Sequence, residues 1–187
     1  MTPVPGRFSI ELPDWVNQVP GPGPYDSDEA KISLAIELSR RNIEHGEGGP
    51  FGAVLFDDAD RIVAIGVNQV LPQSSSTAHA EMVAFMLAQQ AAGRPRLNDD
   101  GRRYTLATSS QPCCQCYGAC VWAGIDTLLI GARSEDVMAL TPFDEGPLPA
   151  DWRGELERRG ISVRSDIARD EACSVLAEYG RRNPPRY

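Results

Sequence analysis

The sequence predicts an α/β protein in which a mixed β-sheet carries helices on both faces. Segments with helical periodicity alternate with short apolar runs typical of strands, giving about five strands and about five helices. The length of 187 residues fits one domain, and 42% hydrophobic with 24% charged residues is ordinary for a globular protein. We therefore expect one domain over residues 26–187, preceded by a separate N-terminal arm.

The first 25 residues differ in composition from the rest of the chain. They contain six prolines and little periodicity, which predicts an extended arm over residues 1–25. Phe8 and Trp15 are the candidates for anchoring this arm to the domain.

The first part of the domain predicts a helix followed by a β-hairpin. The helix should begin near Asp26, because Asp26 and Glu29 have the spacing of a capping box. Two apolar runs, 51–56 and 62–67, are joined by a short acidic segment, which predicts the hairpin. The buried face of the helix is predicted at Ile32, Ala35, Ile36, Ser39 and Ile43.

The second part predicts further helices and strands in alternation. A helix over 78–92 follows a cluster of Ser and Thr residues suited to capping. Pro112 predicts the start of another helix, which continues to Trp122. The remaining predictions are strands at 104–109, 127–131 and 161–163 and a last helix at 170–181.

The strongest functional signal is a pair of short motifs. His79-Ala80-Glu81 and Pro112-Cys113-Cys114-Gln115-Cys116 give the pattern H-x-E … P-C-x-x-C. Taken singly, the second motif also fits a redox pair, a structural zinc half-site or two buried thiols, and the first also fits an ordinary helix start. Their order and spacing together favour a zinc site with one imidazole and two thiolates.

The predicted zinc ligands are His79, Cys113 and Cys116, with one ion per subunit. Three protein ligands leave the fourth tetrahedral position to water, which is typical of catalytic rather than structural zinc. Cys114 is an alternative to Cys113, but only Cys113 gives the two-residue spacer. Both motifs are predicted at helix N-termini, where the helix dipole favours thiolate over thiol.

Glu81 is the predicted proton carrier. A carboxylate two residues after the histidine is not needed as a ligand and is placed to move a proton to and from bound water. Zinc lowers the pKa of such water towards ~7, so hydroxide is available at neutral pH. The structural alternative for Glu81 is a carboxylate on the surface of a helix.

The charge, apolar runs and cysteine content restrict the classes of binding partner and the expected cellular location. The chain has 18 basic and 26 acidic residues, a net charge of −8, which argues against a nucleic-acid polymer, tRNA included, because phosphate binding needs a basic surface. No apolar run is long enough for a membrane span, and the N-terminus lacks a secretory pattern. Five cysteines suit metal ligation in a reducing compartment better than a disulfide framework, so the expected location is cytoplasmic.

The motifs resemble those of the cytidine-deaminase-like superfamily of zinc deaminases. Within it the chain is most similar to bacterial guanine deaminases, a branch whose members also act on triazines such as ammeline. The resemblance implies a three-layer α/β/α sandwich around a five-stranded mixed sheet. Gln111 departs from the glutamate that usually precedes the proline. The other supporting segments are Gly49-Pro50-Phe51-Gly52-Ala53-Val54, Gly66-Val67-Asn68, Gly118-Ala119-Cys120-Val121-Trp122-Ala123, Phe143-Asp144-Glu145-Gly146 and the last residue, Tyr187.

The resemblance also implies roles for individual residues. Glu145 would act in catalysis beside Glu81, by contacting substrate or relaying protons. The structural alternative for Asn68 is a turn residue after a strand, and Phe51 and Trp122 fit core packing equally well. A C-terminal lid ending in Tyr187 would reach the neighbouring subunit's site, which predicts a homodimer. The implied substrate-binding residues are Phe51, Asn68, Ala78, Trp122, Asp144 and Tyr187.

The predicted function is zinc-dependent hydrolytic deamination of a free amino-heterocycle, with guanine giving xanthine as the first substrate. The open alternatives within the enzyme class are ammeline, cytosine, guanosine and cytidine. The alternative outside the enzyme class is a zinc-stabilised ligand-binding module without catalytic activity. The presence of Glu81 favours the enzyme.

Overall fold

The computed structural model describes residues 6–19, 25–46 and 48–183. Its centre is a five-stranded sheet in the order β2-β1-β3-β4-β5. The strands are β1 (Gly52–Phe56), β2 (Ile62–Val67), β3 (Thr105–Ser110), β4 (Thr127–Ala132) and β5 (Ser162–Arg164). The helices are α1 (Asp28–Glu44), α2 (Val70–Gln73), α3 (Ala80–Ala92), α4 (Cys114–Ala123), α5 (Ser134–Leu140), α6 (Trp152–Glu157) and α7 (Arg169–Arg181). Short 3₁₀ helices lie at Asp14–Gln18 and Leu97–Asp100.

The sheet is mixed, as predicted. β1 pairs antiparallel with both β2 and β3, so the predicted hairpin is confirmed. β3, β4 and β5 run parallel to one another. The parallel pairs need crossover connections, and these are supplied by the helices that follow β3 and β4.

Helices cover both faces of the sheet, which confirms the three-layer sandwich. Side chains alternate along a strand, so Val54 and Phe56 of β1 point to one core and Ala53 and Leu55 to the other. The first core is completed by α1 and α7, and the second by α3 and α4. The functional motifs therefore belong to the second layer of helices, on α3 and α4.

Helix α1 begins at Asp28, two residues after the predicted start. Ser27 is its N-cap, and the Ser27 hydroxyl accepts a hydrogen bond from the Ala30 N–H at 3.1 Å. The predicted capping box at Asp26 is therefore wrong, because a serine one position later already caps the first turn. The predicted buried face of the helix is confirmed at all five positions: Ile32, Ala35, Ile36, Ser39 and Ile43.

The described part of the N-terminal arm is anchored by Trp15. This side chain is buried within the 3₁₀ helix Asp14–Gln18 and stacks on His45 with a centroid separation of 5.2 Å. Phe8 is 61% exposed, so its predicted anchoring role is wrong. The arm's boundary with the domain stays a prediction.

None of the helices in the described part of the chain combines the length and apolarity of a membrane-spanning segment.

Candidate active site

The three predicted metal ligands converge on one point. His79 Nδ1 lies 3.4 Å from Cys113 Sγ and 3.6 Å from Cys116 Sγ. All three ligand atoms lie within 4.8 Å of one another. Around a tetrahedral zinc ion, bonds of about 2.3 Å to sulfur and about 2.0 Å to nitrogen separate these ligand atoms by about 3.5 Å. The donor set therefore fits one zinc ion, with Nδ1 as the imidazole ligand.

Two helix starts position these ligands. His79 is the N-cap of α3 and Cys113 is the N-cap of α4, while Cys116 lies in the first turn of α4. Both helices begin two residues later than predicted, because the N-cap residues keep extended backbone angles. Neither N-cap side chain accepts a capping hydrogen bond. Their polar atoms are thus directed to each other and to the metal position.

The Cys113 thiol is activated by its neighbours. A hydrogen bond from Cys116 and another involving His79 lower the pKa of Cys113 to about 4, against the opposing effect of burial. Cys113 is consequently a thiolate at neutral pH, the form that binds zinc.

Glu81 lies beside the metal position in a buried environment. Its side chain is 6% exposed and lines the same cavity as His79 and Cys113. Burial, and then the negative charge of Cys113, raises the pKa of its carboxyl. A raised pKa makes this carboxylate a stronger base than an ordinary one, which suits a group that accepts a proton and returns it. The alternative of a surface helix carboxylate is therefore wrong.

One cavity brings most of the predicted site residues together. It opens beside the metal ligands and receives side chains from three loops and two helix starts. Its lining residues are Phe51, Asn68, His79, Glu81, Gln111, Cys113, Phe143, Asp144 and Glu145.

A second acidic residue, Glu145, enters this cavity from the loop after α5. It is 8% exposed, and burial, followed by the charges of Cys113 and Glu81, raises its pKa to about 8. A carboxyl group with a raised pKa holds its proton more readily than an ordinary one and, in that form, can donate a hydrogen bond. Asp144 is exposed at the cavity edge, where its Oδ1 accepts from the Gly146 N–H at 2.9 Å. Asp144 thus shapes the turn that presents Glu145.

Cys114 supports the same turn instead of binding the metal. It is exposed, and its N–H donates to the Glu145 carbonyl at 3.0 Å. Gly146 has φ +67°, and a Cβ at this position would lie 2.6 Å from Cys114 Sγ. Cys113, not Cys114, is the residue grouped with His79 and Cys116.

Asn68 and Phe51 occupy the wall of the cavity. Asn68 is 1% exposed, and its Oδ1 accepts from the Gly49 and Val70 N–H groups at 3.3 and 3.4 Å. Phe51 is half-buried and its ring lies 5.4 Å from that of Phe143. Both predicted positions therefore face the site.

Two predicted residues do not line the cavity, and a third is not among the described residues. Trp122 is 76% exposed and does not line the cavity, because its position on α4 turns the indole to the surface. The prediction that Trp122 lines the pocket is therefore wrong within a single chain. Ala78 is buried, its N–H donates to Ser75 and its carbonyl accepts from Gln69, so its backbone serves the fold. Tyr187 lies outside the described residues.

Sequence reasoning missed two cavity residues. Gln111 lines the cavity while its Oε1 accepts from the Ser134 N–H at 3.5 Å, and its place directly before the cysteine motif was the available signal. Phe143 belongs to the quoted Phe-Asp-Glu-Gly segment, but it was given no role there. Its ring packs at a tilt against Phe51 and stacks on Tyr179, and these contacts hold the loop that carries Glu145.

The comparison with protein families agrees with this geometry. Residues 25–132 match the family model of the cytidine and deoxycytidylate deaminase zinc-binding region, which includes both motifs. The chain belongs to this deaminase family. It is thus a zinc-dependent hydrolytic deaminase, and His79, Cys113 and Cys116 are placed to hold its metal.

Similar proteins of known structure extend over nearly the whole deaminase. A guanine deaminase from Nitrosomonas europaea is 41% identical, with 94% of this chain and 97% of that chain covered and a TM-score of 0.88. A variant of the protein NE0047 in complex with 8-azaguanine is also 41% identical, with 95% and 97% covered and a TM-score of 0.89. The guanine deaminase of Bacillus subtilis is 36% identical over 63% of this chain and 71% of its own length.

Proposed function

We propose that this deaminase converts free guanine to xanthine and ammonia. The observation that carries the proposal is Glu145, a second buried carboxyl group in the metal cavity. The surrounding fold matches the guanine deaminase of Nitrosomonas europaea over more than nine-tenths of the chain. A similar protein holds the purine analogue 8-azaguanine.

The chain's own groups divide the reaction between them. His79, Cys113 and Cys116 would hold a zinc ion, which would lower the pKa of a bound water and make that water available for attack at neutral pH. Glu81 accepts a proton from this water and delivers it to a ring nitrogen next to the amino-bearing carbon. The water oxygen bonds to that carbon, and the bond between the carbon and its amino nitrogen breaks. The second water proton leaves with the amino group as ammonia. One carboxylate serves both transfers because it lies beside the metal position.

The other cavity residues bind and orient the ring. Asn68, with its Oδ1 held by two main-chain N–H groups, directs an amide donor to a ring acceptor atom. Phe51 packs against the ring plane. Glu145 contacts the opposite edge of the base, and as a protonated carboxyl group it donates to the substrate or relays a proton. Asp144 acts through the turn that presents Glu145.

The remaining predictions concern the assembly and the location. A homodimer is supported by the exposed indole of Trp122, a large apolar side chain that a second subunit would cover. In that assembly Trp122 and Tyr187 would approach the neighbouring site. A cytoplasmic location is supported by five free cysteines. Ala78 supports the site through its buried backbone.

The test is ammonia release by zinc-loaded protein, measured with guanine, ammeline, cytosine, adenine, guanosine and cytidine. The proposal predicts that guanine has the highest kcat/KM. Preference for another compound would keep the zinc mechanism and reject guanine. An absence of turnover, with zinc and ligand bound, would favour the inactive binding module.

A further inference from the structure

A buried asparagine on α1 connects the two segments that frame the ring-binding wall. Asn42 is fully buried, and its Nδ2 donates to the Gly49 carbonyl at 2.9 Å and to the Asn68 carbonyl at 3.0 Å. These acceptors belong to segments 19 residues apart, one leading into β1 and the other leaving β2. A single amide group therefore fixes the distance between them.

A side-chain amide is suited to this connection and carries no charge into the buried position. Two carbonyl oxygens require two N–H donors from one compact group, which a primary amide supplies and a carboxylate or a hydroxyl does not. The Asn42 Oδ1 is buried without a hydrogen-bond partner among the described residues. A buried acceptor without a partner costs free energy, so this position is not optimised for stability alone.

Asn68 is held by its neighbours at several atoms. Its N–H donates to the Phe51 carbonyl at 3.1 Å. Its carbonyl accepts from Gln69 Nε2 as well as from Asn42, and its Oδ1 accepts from the N–H of Gly49. Because Asn42 holds both Gly49 and the main chain of Asn68, a shift of Asn42 changes the orientation of the Asn68 side chain in the cavity.

We propose that Asn42 is a positioning residue for substrate binding, which sets the orientation of Asn68 through the Gly49 and Asn68 carbonyl groups. It does not contact the substrate. The inference rests on the proposed function, in which Asn68 binds the ring.

The test is a double-mutant cycle with Asn42→Ala and Asn68→Ala, measured as kcat/KM for guanine and as the calorimetric Kd for 8-azaguanine. Asn42→Ala alone should lower kcat/KM about tenfold, mainly through a higher KM, with zinc content unchanged. In the Asn68→Ala background the same change should have an effect of about twofold or less, because two residues acting on one interaction are not additive.

Ser39→Ala is the matched control. Ser39 lies one turn earlier on α1, is equally buried, and its hydroxyl donates only to the Ile36 carbonyl within the helix. This variant should lose stability without a change in KM. Equal effects of Asn42→Ala in both backgrounds, or a KM shift as large in Ser39→Ala, would overturn the proposal. Full activity in Asn68→Ala itself would instead reject the ring-binding role of Asn68 in the proposed function.

Discussion

Gly66 on β2 lies in close contact with the backbone of α3, and Gly66→Ala should damage both stability and activity. A Cβ at this position would lie 1.9 Å from the Ala80 carbonyl oxygen and 2.7 Å from the Ala84 nitrogen. Both are backbone atoms of α3, which cannot rotate away. Normal carbon–oxygen contacts are at about 3.3 Å or more, so β2 and α3 must separate by roughly 1 Å or more.

The expected losses of stability and activity in Gly66→Ala follow from the residues that α3 carries. Overpacking of this kind costs about 1–3 kcal/mol, and each kcal/mol lowers Tm by about 2–4 °C in a chain of this size. His79 and Glu81 flank Ala80, so the same separation displaces a zinc ligand and the proton carrier. A misplacement of about 1 Å can cost about 10²-fold in rate. We therefore expect a large loss of kcat together with a lower Tm.

Thermal unfolding, zinc content and steady-state kinetics of the purified variant measure these effects. Gly118→Ala is the control, since a Cβ there meets no atom within 4 Å and replacing glycine inside a helix should stabilise by about 0.5–1 kcal/mol. Wild-type Tm and kcat in Gly66→Ala would refute the close-approach argument.

Three other predictions concern single groups. Glu81→Gln should keep zinc but lower kcat by about 10²–10⁴-fold, because proton transfer is lost; comparable zinc content with undiminished turnover would contradict its role. Cys113→Ser should lose zinc while Cys114→Ser keeps it, as measured by metal analysis, and the reverse result would reassign the ligand. Hydrogen bonds from Arg169 at 2.6 and 2.7 Å lower the pKa of Asp136 to about 2 from its ordinary 3.8. The wild-type protein should therefore be more stable than Asp136→Asn above pH 3.8, and this difference in the free energy of unfolding should disappear as the pH falls through about 2. Denaturant unfolding of both proteins across this pH range measures the difference. A difference that does not change with pH would contradict the assignment.

The metal site was predictable because its information is local in sequence. Each motif lies at the start of one helix. Cys113 and Cys116 are three residues apart and share a face, while Glu81 enters the first turn of α3 directly after the N-cap His79. The meeting of the two motifs depends on the fold, which the family resemblance supplied. Burial of Glu81 then follows from the packing of α3 on the sheet.

The less local features were harder to predict. Helices α5 and α6 are short, at seven and six residues, and offer too few turns for a periodicity signal. Trp122 has the residue type of a pocket wall, but the orientation of α4 places it outside the cavity. The support of Glu145 by Cys114 joins residues about thirty positions apart, and nothing in their spacing indicates it.

The proposed guanine deaminase activity depends on the buried carboxyl groups acting together with the zinc ligands. The most direct measurement is the steady-state formation of xanthine and ammonia from guanine by zinc-loaded protein, with Glu145→Gln assayed in parallel. We predict equal amounts of the two products from the wild-type protein and a strongly reduced rate in the variant. No xanthine from the wild-type protein, or an unchanged rate in Glu145→Gln, would contradict the account.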